Sequence, residues 1–252
     1  MEEKNPIQVA DRLFHTIELL AENGPMGLID ISKELELNKS TVHRVLNSLI
    51  YMGYVKQNEE NLKYSLTYKI CRLSNSVIQQ TDLVDMARPY LRELSFKTGE
   101  TVHLVVKDGT NAIYIDKVEN DANTVRLIST IGKSIPLYCS GVGKAMMAAM
   151  EEKSVRKIWK FSEIKKLTEK TITDYDSMLK ELEAIRIRGY AIDDEENEIG
   201  VKCVAVAIDD FMEKPRYAIS ISAPEIRMKE ERMEELAKML KETKAQIAEA
   251  WS

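Results

Sequence analysis

Two short amphipathic segments lie between Leu28 and Met52, separated by a polar break at Asn38-Lys39. In the second segment apolar residues recur three and four positions apart, which predicts a helix with one continuous apolar face. These residues are Val42, Val45, Leu46, Leu49 and Ile50. Asn38 is placed to cap the amides of that helix's first turn. The pattern therefore predicts two helices joined by a tight turn, the arrangement of a helix-turn-helix.

The opposite face of the second helix is polar and carries no carboxylate. Its side chains are Lys39, Ser40, Thr41, Arg44, Asn47 and Ser48. Acidic residues are dense just upstream, yet none occurs from Leu37 to Asn58. Because DNA is a polyanion, a helix face without negative charge can approach it without repulsion. We therefore interpret this segment as a recognition helix.

Residue type separates base contacts from backbone contacts on this face. Arg44 and Asn47 are the predicted base readers, because Arg pairs with guanine and Asn with adenine through two hydrogen bonds. Ser40 and Thr41 are predicted to hold phosphates and to fix the register on DNA. His43 lies beside the apolar face, so either a DNA contact or a half-buried packing role fits it.

The flanking segments complete a small domain. Val9–Glu22 has helical spacing and ends at Asn23-Gly24-Pro25, since Gly permits a left-handed cap and Pro cannot continue a helix. Tyr54–Gln57 and Leu62–Leu66 are predicted strands around a polar turn. Three helices followed by a hairpin form a winged helix-turn-helix, predicted here over residues 1–66. The predicted DNA-binding set, which includes two hairpin lysines expected at phosphates, is Lys39, Ser40, Thr41, His43, Arg44, Asn47, Lys56 and Lys63.

The remainder predicts a linker helix over residues 67–81 and a second domain over residues 82–252. Thr101–Lys107 and Ala112–Val118 are strand-like and flank Asp108-Gly109-Thr110-Asn111, a strong hairpin signal. Further strands are predicted at Val125–Ser129, Tyr190–Asp193, Cys203–Ile208 and Tyr217–Ala223. Helices are predicted from residue 82 to residue 97, with a kink or restart at Pro89, and at Lys144–Met150, Asp174–Arg188 and Glu225–Ala250. Antiparallel hairpins with flanking helices imply an α+β fold, built as an α/β sandwich.

Length and composition exclude several classes of protein. The chain has 252 residues, enough for about two domains, and no apolar run approaches the ~20 residues of a membrane span. The charged start MEEKNP is unlike a signal peptide. Cys71, Cys139 and Cys203 are too far apart for a disulfide framework or a CxxC metal site. These features predict a cytoplasmic protein, and the net charge of −5 is compatible with a local DNA-binding surface.

The sequence offers no catalytic motif. SGVGKA departs from a phosphate-binding Walker loop, because Tyr138 occupies the position of the first Gly and Ala145 that of Ser or Thr. Ser140 lacks the Gly-x-Ser-x-Gly context of a nucleophile elbow. For His103 a packing or pocket-lining role is favoured over metal binding. No catalytic residue, metal ligand or cofactor is predicted.

Four segments carry a resemblance that spans nearly the whole chain: NKSTVHRVLNSLIYMGYV, TGETVHLVV, IGKSIPLYCSGVGKAMMA and GYAIDDEENEIGVKCVAVAIDD. The chain resembles the IclR family of bacterial transcription regulators. The last segment fits the family's signature spacing at Gly189, Asp193, Glu196, Cys203, Val204, Ala205, Ile208 and Asp210. Asp209 departs from the aromatic residue or His that the family usually has, which puts local packing in question. Within the family the chain is most similar to regulators of sugar-acid catabolism, of the 2-keto-3-deoxygluconate type.

The resemblance implies a winged-helix DNA-binding domain, a GAF-like effector domain, homodimers or dimers of dimers, and no catalysis. It assigns effector contacts to Gly141, Val142, Asp193, Cys203, Ser220 and Ser222. Small residues from Ser140 onwards would leave helix-start amides open to a carboxylate. Ile128, Ile135 and Leu137 are the expected apolar wall. The alternative is that Ser220 and Ser222 are inward polar positions of a buried strand and that Cys203 is core.

The functional hypothesis is a transcription factor that binds a double-stranded operator and responds to a small carboxylate, such as a sugar acid. Repressor and activator both fit, and repressor is preferred. An enzyme with an accessory winged helix is the alternative, and Asp193 with Glu196 would be its acid/base pair. A DNA-binding assembly protein that senses no ligand is the third interpretation.

Overall fold

The computed structural model describes residues 7–73, 82–120, 129–209 and 214–251. The chain divides into two compact units, Met1–Val77 and Ile78–Ser252. This division falls inside the predicted linker of residues 67–81. None of the helices in the described ranges combines the length and the hydropathy that a membrane span needs.

The N-terminal unit consists of three helices and a hairpin. The elements are α1 (Gln8–Asn23), α2 (Leu28–Glu34), α3 (Lys39–Tyr51), β1 (Val55–Gln57) and β2 (Tyr64–Leu66). The two strands are antiparallel, and Met26 forms a bridge to Tyr64 that attaches the α1–α2 loop to the hairpin. The second strand begins at Tyr64 rather than at the predicted Leu62, which takes a left-handed φ of 55° in the turn.

The apolar face of α3 supplies the core of this unit. Val42, Val45, Leu46 and Leu49 are buried, and they belong to one cluster with Leu20 of α1, Ile31 of α2, Val55 of β1 and Tyr64 of β2. Ile50, also predicted on this face, is 37% exposed because it lies at its edge. Burial of one face leaves the polar face of α3 to solvent.

The start of α3 is fixed by Asn38, as predicted. Its Oδ1 accepts hydrogen bonds from the Thr41 amide and from Ser40 Oγ, each at 2.8 Å. Asn38→Ala should lower the free energy of unfolding of the N-terminal unit by about 1 kcal/mol, because Ala cannot accept these bonds. Hydrogen exchange of the α3 amides in the full chain measures the loss. Asn38→Asp keeps an acceptor and should exchange as the wild type does; equal losses in both variants would contradict the cap.

The C-terminal unit is a six-stranded antiparallel sheet with helices on both faces. Its helices are α4 (Asp82–Thr98), α5 (Gly141–Ala148), α6 (Glu152–Phe161), α7 (Tyr175–Arg188) and α8 (Glu230–Trp251), the last preceded by a 3-10 turn at Glu225–Arg227. Its strands are β3 (Thr101–Asp108), β4 (Asn111–Val118), β5 (Ser134–Pro136), β6 (Ala191–Asp194), β7 (Val201–Asp209) and β8 (Pro215–Pro224). They lie in the order β5-β4-β3-β8-β7-β6.

Several predicted elements differ from those observed. Helix α4 continues through Pro89 without a restart, since burial of Leu83, Ala87 and Leu91 compensates for the hydrogen bond that Pro cannot donate. Most of the predicted strand Val125–Ser129 lies outside the described residues, and Ser129 itself is not in a strand. Helix α6 was not predicted, because only Val155 and Ile158 of it are buried.

The two faces of the sheet differ in side-chain size. Large residues such as Val204 and Ile219 pack towards α4 and α8. On the other face Ala205, Ala207 and Ala218 join the core with α5 and α7. Such small side chains let a helix approach the sheet closely.

Asp209, which departs from the aromatic residue or His usual in the family, lies at the end of β7. Its carboxylate is 3.8 Å from Lys244 Nζ of α8, which gives it a counter-charge.

Candidate DNA-binding face and effector cavity

The polar face of α3 is exposed in the N-terminal unit. Lys39, Ser40, His43, Arg44 and Asn47 are exposed, Thr41 is partly exposed, and Lys56 and Lys63 are exposed on the hairpin. The ring Nδ1 of His43 lies 3.3 Å from Asn47 Nδ2. An exposed ring is not a packing residue, so the packing alternative for His43 is wrong. DNA contact by these eight residues stays a prediction.

The tip of the hairpin carries two carboxylates that the sequence analysis did not weigh. Asn58 Oδ1 accepts hydrogen bonds from the amides of Glu60 at 2.9 Å and Asn61 at 3.1 Å, which fixes the turn. Glu59 and Glu60 are exposed at this turn. Because carboxylates repel phosphates, the tip is poorly suited to lie on the DNA backbone. Lys56 and Lys63, beside the tip, stay the predicted phosphate contacts of the hairpin.

The segment after the hairpin is attached to the C-terminal end of α3. Thr67 Oγ1 donates to the Gly53 carbonyl at 2.6 Å. Lys69 Nζ donates to the Met52 carbonyl at 2.7 Å and lies 4.3 Å from the ring centroid of Tyr54. Residues 69–73 are helical, in keeping with the first part of the predicted linker helix, whereas residues 74–81 lie outside the described ranges.

A cavity of about 140 Å³ lies in the C-terminal unit, against the six-stranded sheet. Four of the predicted effector residues line it, namely Ile135, Asp193, Cys203 and Ser222. Sheet register explains why they meet, because Asp193 of β6 is opposite Cys203 of β7, which is opposite Ser222 of β8. Residues from six strands and two loops therefore form one concave surface.

Leu137 and Ser140 have structural roles instead. Leu137 is fully buried in the core with α5, and it therefore forms no wall of the cavity. Ser140 caps α5, since its Oγ accepts from the Gly143 amide at 3.2 Å and donates to the Pro136 carbonyl at 2.7 Å. Because the Ser140 hydroxyl already donates its hydrogen to Pro136, it cannot donate to a ligand carboxylate. Gly143 permits this tight packing, because a Cβ there would lie 2.2 Å from the Leu137 carbonyl oxygen.

The other predicted effector residues are near the cavity or outside the described residues. Gly141 lies against Asp193, because a Cβ on Gly141 would be 3.5 Å from the Asp193 amide nitrogen. Val142 is buried in the core, and Ser220 is buried opposite His103 in the β3–β8 ladder. Ile128 and the signature residue Asp210 lie outside the described residues.

Asp193 is a buried carboxyl with fixed geometry. Its Oδ1 accepts from the Glu196 amide at 2.8 Å. The turn after it is held by Thr168 Oγ1, which donates to the Glu195 carbonyl at 2.7 Å, and by Thr171 Oγ1, which donates to the Glu196 carbonyl at 2.6 Å. Burial, followed by the nearby charge of Glu196, raises the pKa of Asp193 to about 7. This group therefore changes charge near neutral pH.

A buried lysine, which was not identified from sequence, forms an ion pair with a carboxylate of this turn. Lys144 of α5 is 1% exposed, and its Nζ forms an ion pair with Glu196 and another with Glu181 of α7 at 3.3 Å. Glu181 is also paired with Arg188 at 2.7 Å. Burial raises the pKa of Glu196, while Lys144 opposes the shift. The one charge in an otherwise apolar helix was the signal that could have identified Lys144.

A group of neutral polar side chains also lines the cavity, in which His103 has the expected pocket-lining position, whereas Tyr114 and Ser129 were not identified from sequence. His103 Nε2 is 2.7 Å from Ser129 Oγ, and its Nδ1 is 3.4 Å from Ser222 Oγ. The ring of Tyr114 lies 4.9 Å from that of His103. Burial lowers the pKa of His103 to about 3, so the imidazole is neutral. Alternation in TGETVHLVV could have placed His103 on this face, but nothing local marks Tyr114 or Ser129.

Comparisons with known proteins cover both units. A family model of the IclR helix-turn-helix domain matches residues 9–59, and a model of the bacterial transcriptional regulator IclR C-terminal domain matches residues 75–249. HTH-type transcriptional regulator KdgR of Escherichia coli K12 is 37% identical over 240 residues, covering 94% of this chain and 91% of that protein. Transcriptional repressor IclR of the same organism is 32% identical over 237 residues, covering 93% and 86%. The crystal structure of the Thermotoga maritima IclR has a TM-score of 0.79 at 33% identity, covering 96% of this chain and 98% of that one.

Proposed function

The chain belongs to the IclR family of bacterial transcriptional regulators, and we propose that it is a repressor whose operator affinity is controlled by a small acid bound in the C-terminal unit. Its N-terminal unit is the family's DNA-binding helix-turn-helix domain. The named relatives are transcriptional regulators and repressors, so the chain is a regulator and not an enzyme. The enzyme alternative, with Asp193 and Glu196 as an acid/base pair, is therefore wrong.

The exposed, acid-free face of α3 is the observation that carries the DNA-binding part of the proposal. Arg44 and Asn47 are one turn apart on this face and read base edges in the major groove. Lys39, Ser40 and Thr41 hold phosphates at the start of the helix, where the positive end of the helix dipole favours an anion. A homodimer, or a dimer of dimers, presents two such helices to the half-sites of a palindromic operator.

The effector part of the proposal is supported by the buried polar cavity. Asp193, Cys203 and Ser222 line it, and the start of α5 lies against Asp193. A cavity with a few convergent polar groups and a carboxyl of shifted pKa is the usual form of a small-ligand site. The ligand is a small carboxylate of the sugar-acid class. It changes operator affinity only because it binds the DNA-competent and incompetent arrangements unequally.

A two-step experiment tests the proposal on the full chain. An operator is first selected from random DNA by binding, and a panel of keto and sugar acids is then screened by thermal shift. An acid that stabilises the protein should also weaken operator binding, measured by fluorescence anisotropy. Tight operator binding that no acid in the panel alters would instead support the DNA-binding protein that senses nothing.

Acid binding should depend on pH through Asp193. A bound carboxylate beside Asp193 favours the protonated side chain, so binding takes up a proton. Because the pKa of Asp193 is about 7, affinity should be highest below that pH and fall roughly tenfold per pH unit above it. Isothermal titration calorimetry between pH 6 and pH 9 measures this slope. Asp193→Asn cannot titrate and should give a flat profile; a slope retained in that variant would assign the proton to another group.

A further inference from the structure

We propose that His103 is a positioning residue of the effector cavity, which orients Ser129 and Ser222 so that the site selects acids carrying hydroxyl groups beyond the carboxylate. The inference rests on the proposed effector binding and adds to it the residues that read the hydroxyl groups of the acid. Ser129, Tyr114 and His103 are not among the residues that the family resemblance assigns to the effector.

A continuous line of hydrogen bonds runs across the sheet at this end of the cavity. Ser129 Oγ is 2.7 Å from His103 Nε2, and His103 Nδ1 is 3.4 Å from Ser222 Oγ. Ser222 Oγ donates in turn to Cys203 Sγ at 3.0 Å. Cys203 is opposite Asp193 in the β6–β7 ladder. The hydrogen-bonded line therefore runs from Ser129 through His103 and Ser222 to Cys203, which is the neighbour of Asp193 in the sheet.

The neutral imidazole determines which group donates and which accepts in each of these hydrogen bonds. A neutral His has one donor nitrogen and one acceptor nitrogen. Since Ser222 donates its hydrogen to Cys203, it accepts from His103 Nδ1–H, and His103 Nε2 then accepts the hydrogen of Ser129. The lone pairs of Ser129 Oγ remain to accept a hydrogen bond from a ligand hydroxyl. Any acid with a hydroxyl at this end is thus recognised without a charged partner.

The surrounding groups exclude a charged ligand tail. Lys117 Nζ donates to the Ser129 carbonyl at 2.7 Å and pairs with Glu119 at 2.9 Å, so its charge is compensated. Lys133 and Glu198 also line the cavity but are exposed. Moving a charged ligand tail out of water to the buried His103 would be unfavourable, because the nearby lysines are either exposed or already paired. Neutral hydroxyl groups satisfy the polar atoms without this cost.

Cavity size sets how much of the acid is enclosed. A volume of about 140 Å³ is close to that of an engineered protein cavity of ~150 Å³ that holds benzene. The enclosed part of the ligand therefore has roughly six to eight non-hydrogen atoms. This corresponds to a hydroxylated acid of three or four carbons, or to the corresponding part of a longer sugar acid.

Two matched acids test the inference on the full chain. The probes are 2-oxohexanoate and its 4,5,6-trihydroxy derivative, which have the same carbon chain and charge and differ only in hydroxyl groups. Wild-type protein should bind the trihydroxy acid at least tenfold more tightly in isothermal titration calorimetry. His103→Leu should reduce this ratio to less than threefold, because it weakens binding of the trihydroxy acid more than binding of 2-oxohexanoate. His103→Asn keeps a donor and an acceptor, and it should restore part of the preference.

The possible outcomes separate the inference from the proposed function. If both affinities fall together in His103→Leu, the residue only supports the fold and the inference is overturned. Ser129→Ala, on the loop before β5, provides a second test in case His103→Leu does not fold, and it should lower the same ratio. If the wild-type protein binds both acids equally, the inference alone fails. If it binds neither, the proposed acid sensing fails as well.

Discussion

Replacing Lys144 by Met should lower the free energy of unfolding of the C-terminal unit by about 3–5 kcal/mol, the cost of leaving a buried charge without its partner. Lys144 is 1% exposed and is paired with Glu196, which is 5% exposed. Within the described residues, Glu196 Oε2 has no hydrogen-bond partner, so Lys144 supplies the main compensation for this carboxylate. Glu181 would be less affected, because it keeps Arg188 at 2.7 Å.

Urea unfolding followed by tryptophan fluorescence measures this loss. Both tryptophans, Trp159 and Trp251, are in the C-terminal unit, so their emission reports on that unit alone. The penalty should decrease as pH falls, because a protonated Glu196 needs no counter-charge, and burial already raises its pKa. The double variant Lys144→Met, Glu196→Gln removes both charges and should recover most of the stability.

A surface ion pair provides the matched control. Lys166 and Glu169 are paired but exposed, so Lys166→Met should leave the unfolding midpoint close to that of the wild type. If Lys144→Met were equally mild, Glu196 would have to be solvated or neutral in the native state, and the supporting role assigned to the ion pair would be wrong.

Arg44→Ala should weaken binding to the selected operator by about 1–3 kcal/mol and relax base preference at one position of each half-site. The side chain is exposed on the acid-free face of α3, and its guanidinium matches the two acceptors of guanine. Binding to the operator and to variants substituted at each position, measured by fluorescence anisotropy, gives the discrimination directly.

Lys56→Ala on the hairpin is the comparison variant. A phosphate contact carries no sequence information, so this change should weaken binding to all DNA sequences alike. It should also reduce the slope of log affinity against log salt concentration by about one. If Arg44→Ala behaved in the same way, Arg44 would be a phosphate contact and not a base reader.

The helix-turn-helix was predictable from sequence because its determinants are local. The apolar spacing of Val42, Val45 and Leu49 fixes which face of α3 is buried, and Asn38 fixes where the helix begins. The absence of acids over the same segment identified the face that remains exposed. The hairpin tip was less predictable, since the positions of Glu59 and Glu60 depend on the turn that Asn58 forms.

The cavity was only partly predictable, because side-chain direction at a turn or helix start depends on packing. Asp193, Cys203 and Ser222 line it as the resemblance implied, whereas Leu137 is in the core and Ser140 caps α5. No local pattern distinguishes these cases. Lys144 had a local signal, as the one charge in an apolar helix, but its partners Glu181 and Glu196 could not be identified because they are 37 and 52 residues away in sequence.

The sequence by itself determined the helix-turn-helix and the family, because helix periodicity, capping and motif spacing act over a few residues. Only the tertiary structure decided which polar groups meet. The sheet order β5-β4-β3-β8-β7-β6 brings His103 beside Ser222 across 119 residues of chain. Hydrogen bonds between such distant residues depend on how the strands pair, and strand pairing is a property of the whole folded unit rather than of any one segment.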